Sequence, residues 1–141
     1  MSLLLDTSVL FAFLNQDDAD HARAKEFLLA VSEGALGTPV VTDLIIAELH
    51  NLARACKMAP AFEEAARDLL SGSTLPLLGL VRREVGIARF DRIMEVFLKY
   101  RDARVSFTDA SLLVMQQDES IDLLATFDRR LGALAARDFT G

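Results

Sequence analysis

Leu3-Leu4-Leu5 running straight into Asp6 is the feature that most limits how this chain folds. Three consecutive leucines mark a short strand buried on both faces, as parallel sheets covered by helices require. Helical spacing begins at once, through Val9, Leu10, Phe13 and Leu14. An ionised carboxylate at such a junction costs several kcal/mol to bury unless it is paired or bound to a cation. Capping the following helix is one use for Asp6. A hard cation shared with other acids is the other.

The 141 residues suit one domain, 1–141, with a real core. No apolar run reaches the roughly 18 residues needed to cross a bilayer. Asp6 interrupts the apolar N-terminus and no basic leader precedes it, so no secretory signal is expected. Cys56 is the only cysteine. It leaves no internal disulfide and no thiolate cluster, which fits a reducing cytoplasm. The net charge of −6 argues against a broad basic surface for nucleic acid. Four acids gathered in one site would make most of that excess local.

The spacing predicts helices over 8–14, from about Asp18 or Asp20 to Val31, Asp43 to Lys57, Ala61 to Leu70, Val85 to Tyr100, Thr108 to Gln117 and Asp128 to Ala136. It predicts strands at 3–5, Pro39–Thr42, Leu75–Leu78 and Ile121–Thr126, with some extended chain in 137–141. Strands alternating with helices imply parallel pairing and right-handed crossovers. The expected fold is therefore a three-layer α/β/α sandwich around a mainly parallel sheet of four or five strands.

In such sheets, sites form beyond the carboxyl ends of the strands. Asp6 ends the first strand and Asp128 follows the fourth. Asp109 falls in the first turn of a helix, where the dipole favours a negative charge. Glu48 shares a helix face with Leu44 and Leu52, flanked by Ile45 and Leu49, so it points toward the body of the protein. Each acid alone has an ordinary use, as a cap for Asp6 and Asp128, as a first-turn acid for Asp109 and as an arginine's partner for Glu48. Together they favour a common site. Carboxylates without His or Cys suit Mg²⁺ or Mn²⁺ better than zinc. His21, His50 and Cys56 are assigned no chemistry. No phosphate-binding P-loop, dinucleotide-binding glycine motif or nucleophile elbow is present. A phosphatase with an Asp nucleophile commonly carries a second Asp two residues on, where this chain has Ser8.

The segments LLLDTSVL, VTDLIIAELHNLAR, SFTDASLLVM and LLATFDRRL, in this order, resemble the PIN domain, most closely the VapC-type toxins of toxin–antitoxin pairs. The resemblance covers nearly the whole chain. It implies a Mg²⁺- or Mn²⁺-dependent endoribonuclease that leaves 5′-phosphate and 3′-hydroxyl ends. It places metal-binding acids at Asp6, Glu48, Asp109 and Asp128, with hydroxyl support from Thr7 and Thr108. It further implies an RNA substrate, a cognate antitoxin protein and a homodimer, with no membrane association. Asp102 reads as a loop cap. Arg82, Arg83, Arg129 and Arg130 are candidates for RNA phosphate contacts, because Arg binds phosphate bidentately. A non-catalytic protein-binding module of the same fold is the alternative, as is a metal-dependent phosphatase or DNA nuclease.

Overall fold

The structure is a computed structural model. It describes residues 1–139, and the side chains of residues 1–135. Four strands, β1 (Ser2–Leu5), β2 (Thr38–Thr42), β3 (Val81–Arg83) and β4 (Leu123–Ala125), form one parallel sheet in the order β3-β2-β1-β4. Among the described residues seven α-helices cover it: α1 (Thr7–Leu14), α2 (His21–Ser32), α3 (Asp43–Ala55), α4 (Pro60–Leu69), α5 (Phe90–Lys99), α6 (Phe107–Asp118) and α7 (Arg129–Phe139). This is the α/β sandwich that the alternating pattern predicts.

β1 is central and its three leucines are buried, each at most 1% exposed. They share one buried core with Leu10 of α1, Leu28 of α2, Ile45 and Leu49 of α3, and Leu112, Leu113 and Met115 of α6. Pro39 lies inside β2, opposite Leu3. Because Thr38 donates its N–H toward β1, the N–H that Pro39 lacks would point toward β3. β3 begins only opposite Val40, so no ladder bond is lost. Gly37 lets this start pass close to β1, since a Cβ there would stand 2.2 Å from the Met1 carbonyl oxygen.

Four expectations need correction. The third strand is Val81–Arg83, not Leu75–Leu78. The stretch 72–79 is a loop closed by the Gly79 N–H on the Gly72 carbonyl, with a cis Leu75–Pro76 bond. Its apolar run imitates a strand because Leu77 plugs the core while Leu75 and Leu78 stay exposed. The helix expected from Val85 starts instead at Phe90, because Gly86 takes φ +82° and a 3-10 turn intervenes. The cap of α6 is Ser106, not Thr108. The Ser106 hydroxyl accepts the Asp109 N–H while the Asp109 carboxylate accepts the Ser106 N–H. Lastly, α7 continues through 137–139, where extended chain was expected; 140–141 lie outside the described residues.

All strands are parallel, so their carboxyl ends share one edge of the sheet. Asp6 follows β1, Thr42 closes β2, Arg83 closes β3 and Thr126 follows β4. Asp43 ties this edge together by accepting the N–H groups of Leu44 and Val85 through one oxygen.

Candidate metal centre

Asp6 is the most constrained acid of the chain. It is 4% exposed. The register Leu5↔Ala125 places it beside the end of β4, and its own N–H donates to the Ala125 carbonyl at 3.0 Å. As N-cap of α1 it accepts the Thr7 N–H on Oδ1 at 2.8 Å. Its other oxygen, Oδ2, accepts the Ser8 hydroxyl at 2.8 Å and the Thr126 hydroxyl at 2.7 Å. Both hydroxyls are themselves held. Ser8 Oγ accepts the Phe127 N–H and Thr126 Oγ1 accepts the Asp128 N–H, each at 3.0 Å. One carboxylate is thus wired to the loop that carries Asp128.

No lysine or arginine pairs with Asp6 among the described residues. Burial pushes its carboxyl above the ordinary range, its three hydrogen bonds pull it back, and the charge of Glu48 raises it further. Asp109 is also raised, first by burial and then by the charges of Asp6 and Asp128, against the lowering effect of its bonds with Ser106. Charge repulsion links the four predicted acids pair by pair, Glu48 with Asp6, Asp6 with Asp109, and Asp109 with Asp128.

They are not a finished cage. Among the described residues no three acidic, His or Cys side chains stand ready to hold an ion. Besides Asp6, two of the carboxylates are partly spent as caps. Asp109 Oδ2 accepts the Ser106 N–H, and Asp128 Oδ1 accepts the N–H groups of Arg130 at 2.9 Å and Leu131 at 3.4 Å. The second oxygens of both, and both oxygens of half-buried Glu48, take no hydrogen bond among the described residues. The donor set is hard, anionic oxygen with unused lone pairs around a buried, unpaired negative charge. It fits a divalent cation of the Mg²⁺ type and does not fit a soft metal.

The supporting hydroxyls differ from those expected. Thr7 touches Asp6 through its backbone, and its buried Oγ1 has no partner. Thr108 lends its carbonyl to the Ser111 hydroxyl, while its own hydroxyl meets nothing among the described residues. Ser8 and Thr126 are the hydroxyls that reach Asp6. A signal for Thr126 existed: it directly follows β4 as Asp6 directly follows β1, so in-register parallel pairing puts the two side by side. Asp102 is exposed in a 3-10 turn and joins nothing at the site.

The candidate arginines lie at this edge or on its flank. Arg82 and Arg83 are exposed on β3 and carry no ion pair among the described residues. Arg129 is exposed at the start of α7. Arg130 stands 3.7 Å from Asp128.

The PIN domain family model matches residues 3–137. The chain belongs to the PIN domain family. Among curated members, Ribonuclease VapC26 of Mycobacterium tuberculosis is 27% identical over 128 residues, which is 91% of this chain and 87% of that protein. Among solved structures, Mycobacterium tuberculosis VapC20, a toxin that cleaves the sarcin–ricin loop, superposes with a TM-score of 0.77 over 94% of each chain. At 20% identity, that second likeness speaks for the PIN fold alone. The four segments that resemble VapC-type toxins all fall inside the matched span.

Proposed function

We propose that this PIN domain, a single unit over 1–141, is the toxin of a VapC-type toxin–antitoxin pair. It acts as a Mg²⁺- or Mn²⁺-dependent endoribonuclease that leaves 5′-phosphate and 3′-hydroxyl ends. The observation that carries the reading is Asp6, a buried carboxylate with no cationic side chain on it, set among three more acids at the carboxyl edge of the sheet. Glu48, Asp6, Asp109 and Asp128 would hold the metal. When bound, the ion supplies positive charge against the phosphate and makes a water more acidic. The chain's own contribution is positional. Ser8 and Thr126 fix the Asp6 carboxylate, and the helix N-termini hold Asp109 and Asp128 by their caps. Arg82, Arg83, Arg129 and Arg130 offer cations to the RNA phosphates flanking the cut.

The proposed partners are an antitoxin and a second copy of the chain, and the proposed compartment is the cytoplasm. Among the described residues no helix is long and apolar enough to cross a membrane. Leu29, Leu75 and half-buried Phe13 line an apolar groove of about 490 Å³ that offers contact surface to a partner.

Purified protein with Mn²⁺ is expected to cut RNA, and chelator to stop it. Cleavage at the wild-type rate by Asp6→Ala protein would sink the assignment. One observation favours the alternative of a non-catalytic binding module, namely that the carboxylates do not stand ready as ligands. Calorimetry separates the two, because the module predicts no divalent-ion binding.

A further inference from the structure

Beyond the acids, the loop after β4 carries an aromatic ring with a guanidinium against it. The Arg23 guanidinium of α2 lies 4.8 Å from the centroid of the Phe127 ring. Asp20 pins it there, 3.1 Å from its Nη1, yet the Arg23 side chain remains 69% exposed. Phe127 sits between Thr126 and Asp128, and its N–H donates to the Ser8 hydroxyl that also holds Asp6. The ring is therefore anchored two hydrogen bonds from the Asp6 carboxylate.

Two cavities open on this pair and share Arg23, Phe27 and Phe127. The outer one, about 350 Å³, also meets Glu26. The inner one, about 280 Å³, is floored by Val9 and Leu124 and reaches Thr126; among the described residues Arg23 is the only charged side chain on it. Its size matches the lower end of small-molecule sites, roughly 300–1,000 Å³. An apolar slot with two aromatic rings, Phe27 and Phe127, one guanidinium and a single hydroxyl is the chemistry that stacks a flat heterocycle. Arginine planes and aromatic rings take unpaired bases in this way. A neighbouring phosphate would find the Arg23 charge, while Glu26 disfavours anions in the outer cavity.

We propose that Arg23 and Phe127 form a stacking platform for an unpaired RNA base within one or two nucleotides of the scissile phosphate. The proposal rests on the reading that RNA is the substrate. It makes both residues positioning residues, and it makes single-stranded or looped RNA the preferred target, since a paired base cannot enter the slot.

The test uses short single-stranded oligoribonucleotides that the full chain cleaves with Mn²⁺, intact or with one base removed near the cut. Phe127→Leu keeps apolar bulk without the ring, Phe127→Tyr keeps the ring, and Arg23→Gln removes only the surface cation. Phe127→Leu and Arg23→Gln are each expected to raise KM about tenfold with little change in kcat, and Phe127→Tyr to stay near wild type. Removing the stacked base is expected to cost the wild type a similar factor and the Phe127→Leu protein almost nothing more, because the two changes delete one contact. Equal losses on intact and base-deleted RNA would overturn the proposal, since the pair would then merely brace α2 against the loop.

A second readout does not depend on cleavage. Aminopurine placed at each position in turn is expected to be quenched on binding to Asp109→Asn protein with Mg²⁺, and Arg23→Gln to abolish the quench at one position. Quenching without cleavage by the wild type would support the platform and remove the nuclease reading. Cleavage without quenching at any position would overturn the platform and leave the nuclease reading standing. If Phe127→Leu does not fold, Arg23→Gln, on an exposed side chain, carries both arms.

Discussion

Asp6 and Glu48 belong to the same acidic centre and are held in opposite ways. Asp6 is buried at the end of β1, and its oxygens accept three hydrogen bonds from groups that are themselves fixed. Glu48 stands half-buried one turn into α3's apolar face, with no hydrogen bond or ion pair among the described residues. The first is a fixed post and the second a free arm. The difference teaches how a fold keeps like charges together. It immobilises one carboxylate at a high desolvation cost and leaves the facing one able to turn toward an incoming ion. Asp109 and Asp128 lie between these extremes, each with one oxygen in a helix cap and one spare.

The largest effects should come from removing the post or the arm. Asp6→Asn, Glu48→Gln and Asp109→Asn are each expected to lower the RNA cleavage rate by more than the roughly 10–100-fold typical of residues that merely support a metal ligand. Single-turnover cleavage with saturating Mn²⁺ measures this. Retention of more than a tenth of the rate by Glu48→Gln would break the comparison, because the arm would then be idle.

The post depends on its hydroxyls, so Ser8→Ala and Thr126→Val come next. Each leaves Asp6 short of a donor and orphans a backbone N–H, of Phe127 or Asp128, at a cost of about 1–3 kcal/mol of stability. Chemical denaturation is expected to show that loss. Thr126→Ser is expected to restore most of it, as the hydroxyl returns. No such loss is expected from Thr7→Val, because the Thr7 hydroxyl has no partner to lose.

Charge repulsion sets a third, pH-dependent effect. Asp6 and Asp109 both titrate above their ordinary values in the folded chain. The native state therefore holds protons there that the unfolded state has released, so the contribution of these two groups to stability is fullest below the ordinary carboxylate range and is lost as pH rises through the raised values. In chelator, melting temperature is expected to decline over that window. Asp109→Asn, which keeps an oxygen for the Ser106 N–H, should reduce the decline and melt higher than wild type at neutral pH while losing activity. A steeper decline in the variant would contradict the repulsion.

The smallest effects belong to the exposed arginines. Arg83→Ala is expected to weaken RNA binding a few-fold and to lower the salt dependence by about one unit of slope. Arg130→Ala should do less, since its charge already lies near Asp128.

Much of this arrangement is legible in the sequence. The apolar run before Asp6 and the spacing around Glu48 and Asp109 give the alternating fold and the four acids, because burial and helical period are local properties. The register between β1 and β4 is not local. The partnership of Asp6 with Thr126, 120 residues apart, follows only once Leu5 is known to face Ala125. Leu75–Leu78 misleads for the complementary reason, since an apolar run reports burial and not the pairing of its backbone. In Ser106-Phe107-Thr108 two hydroxyls compete for one cap, and the reciprocal bond with Asp109 decides for Ser106.

Whether Asp6 anchors a divalent-cation site is decided by calorimetric titration of Mn²⁺ into the purified chain, wild type beside Asp6→Asn. Saturable binding is expected of the wild type, with a matching rise in melting temperature, and neither of the variant. Absence of Mn²⁺ binding by the wild type, or equal binding by both proteins, would rule such a site out.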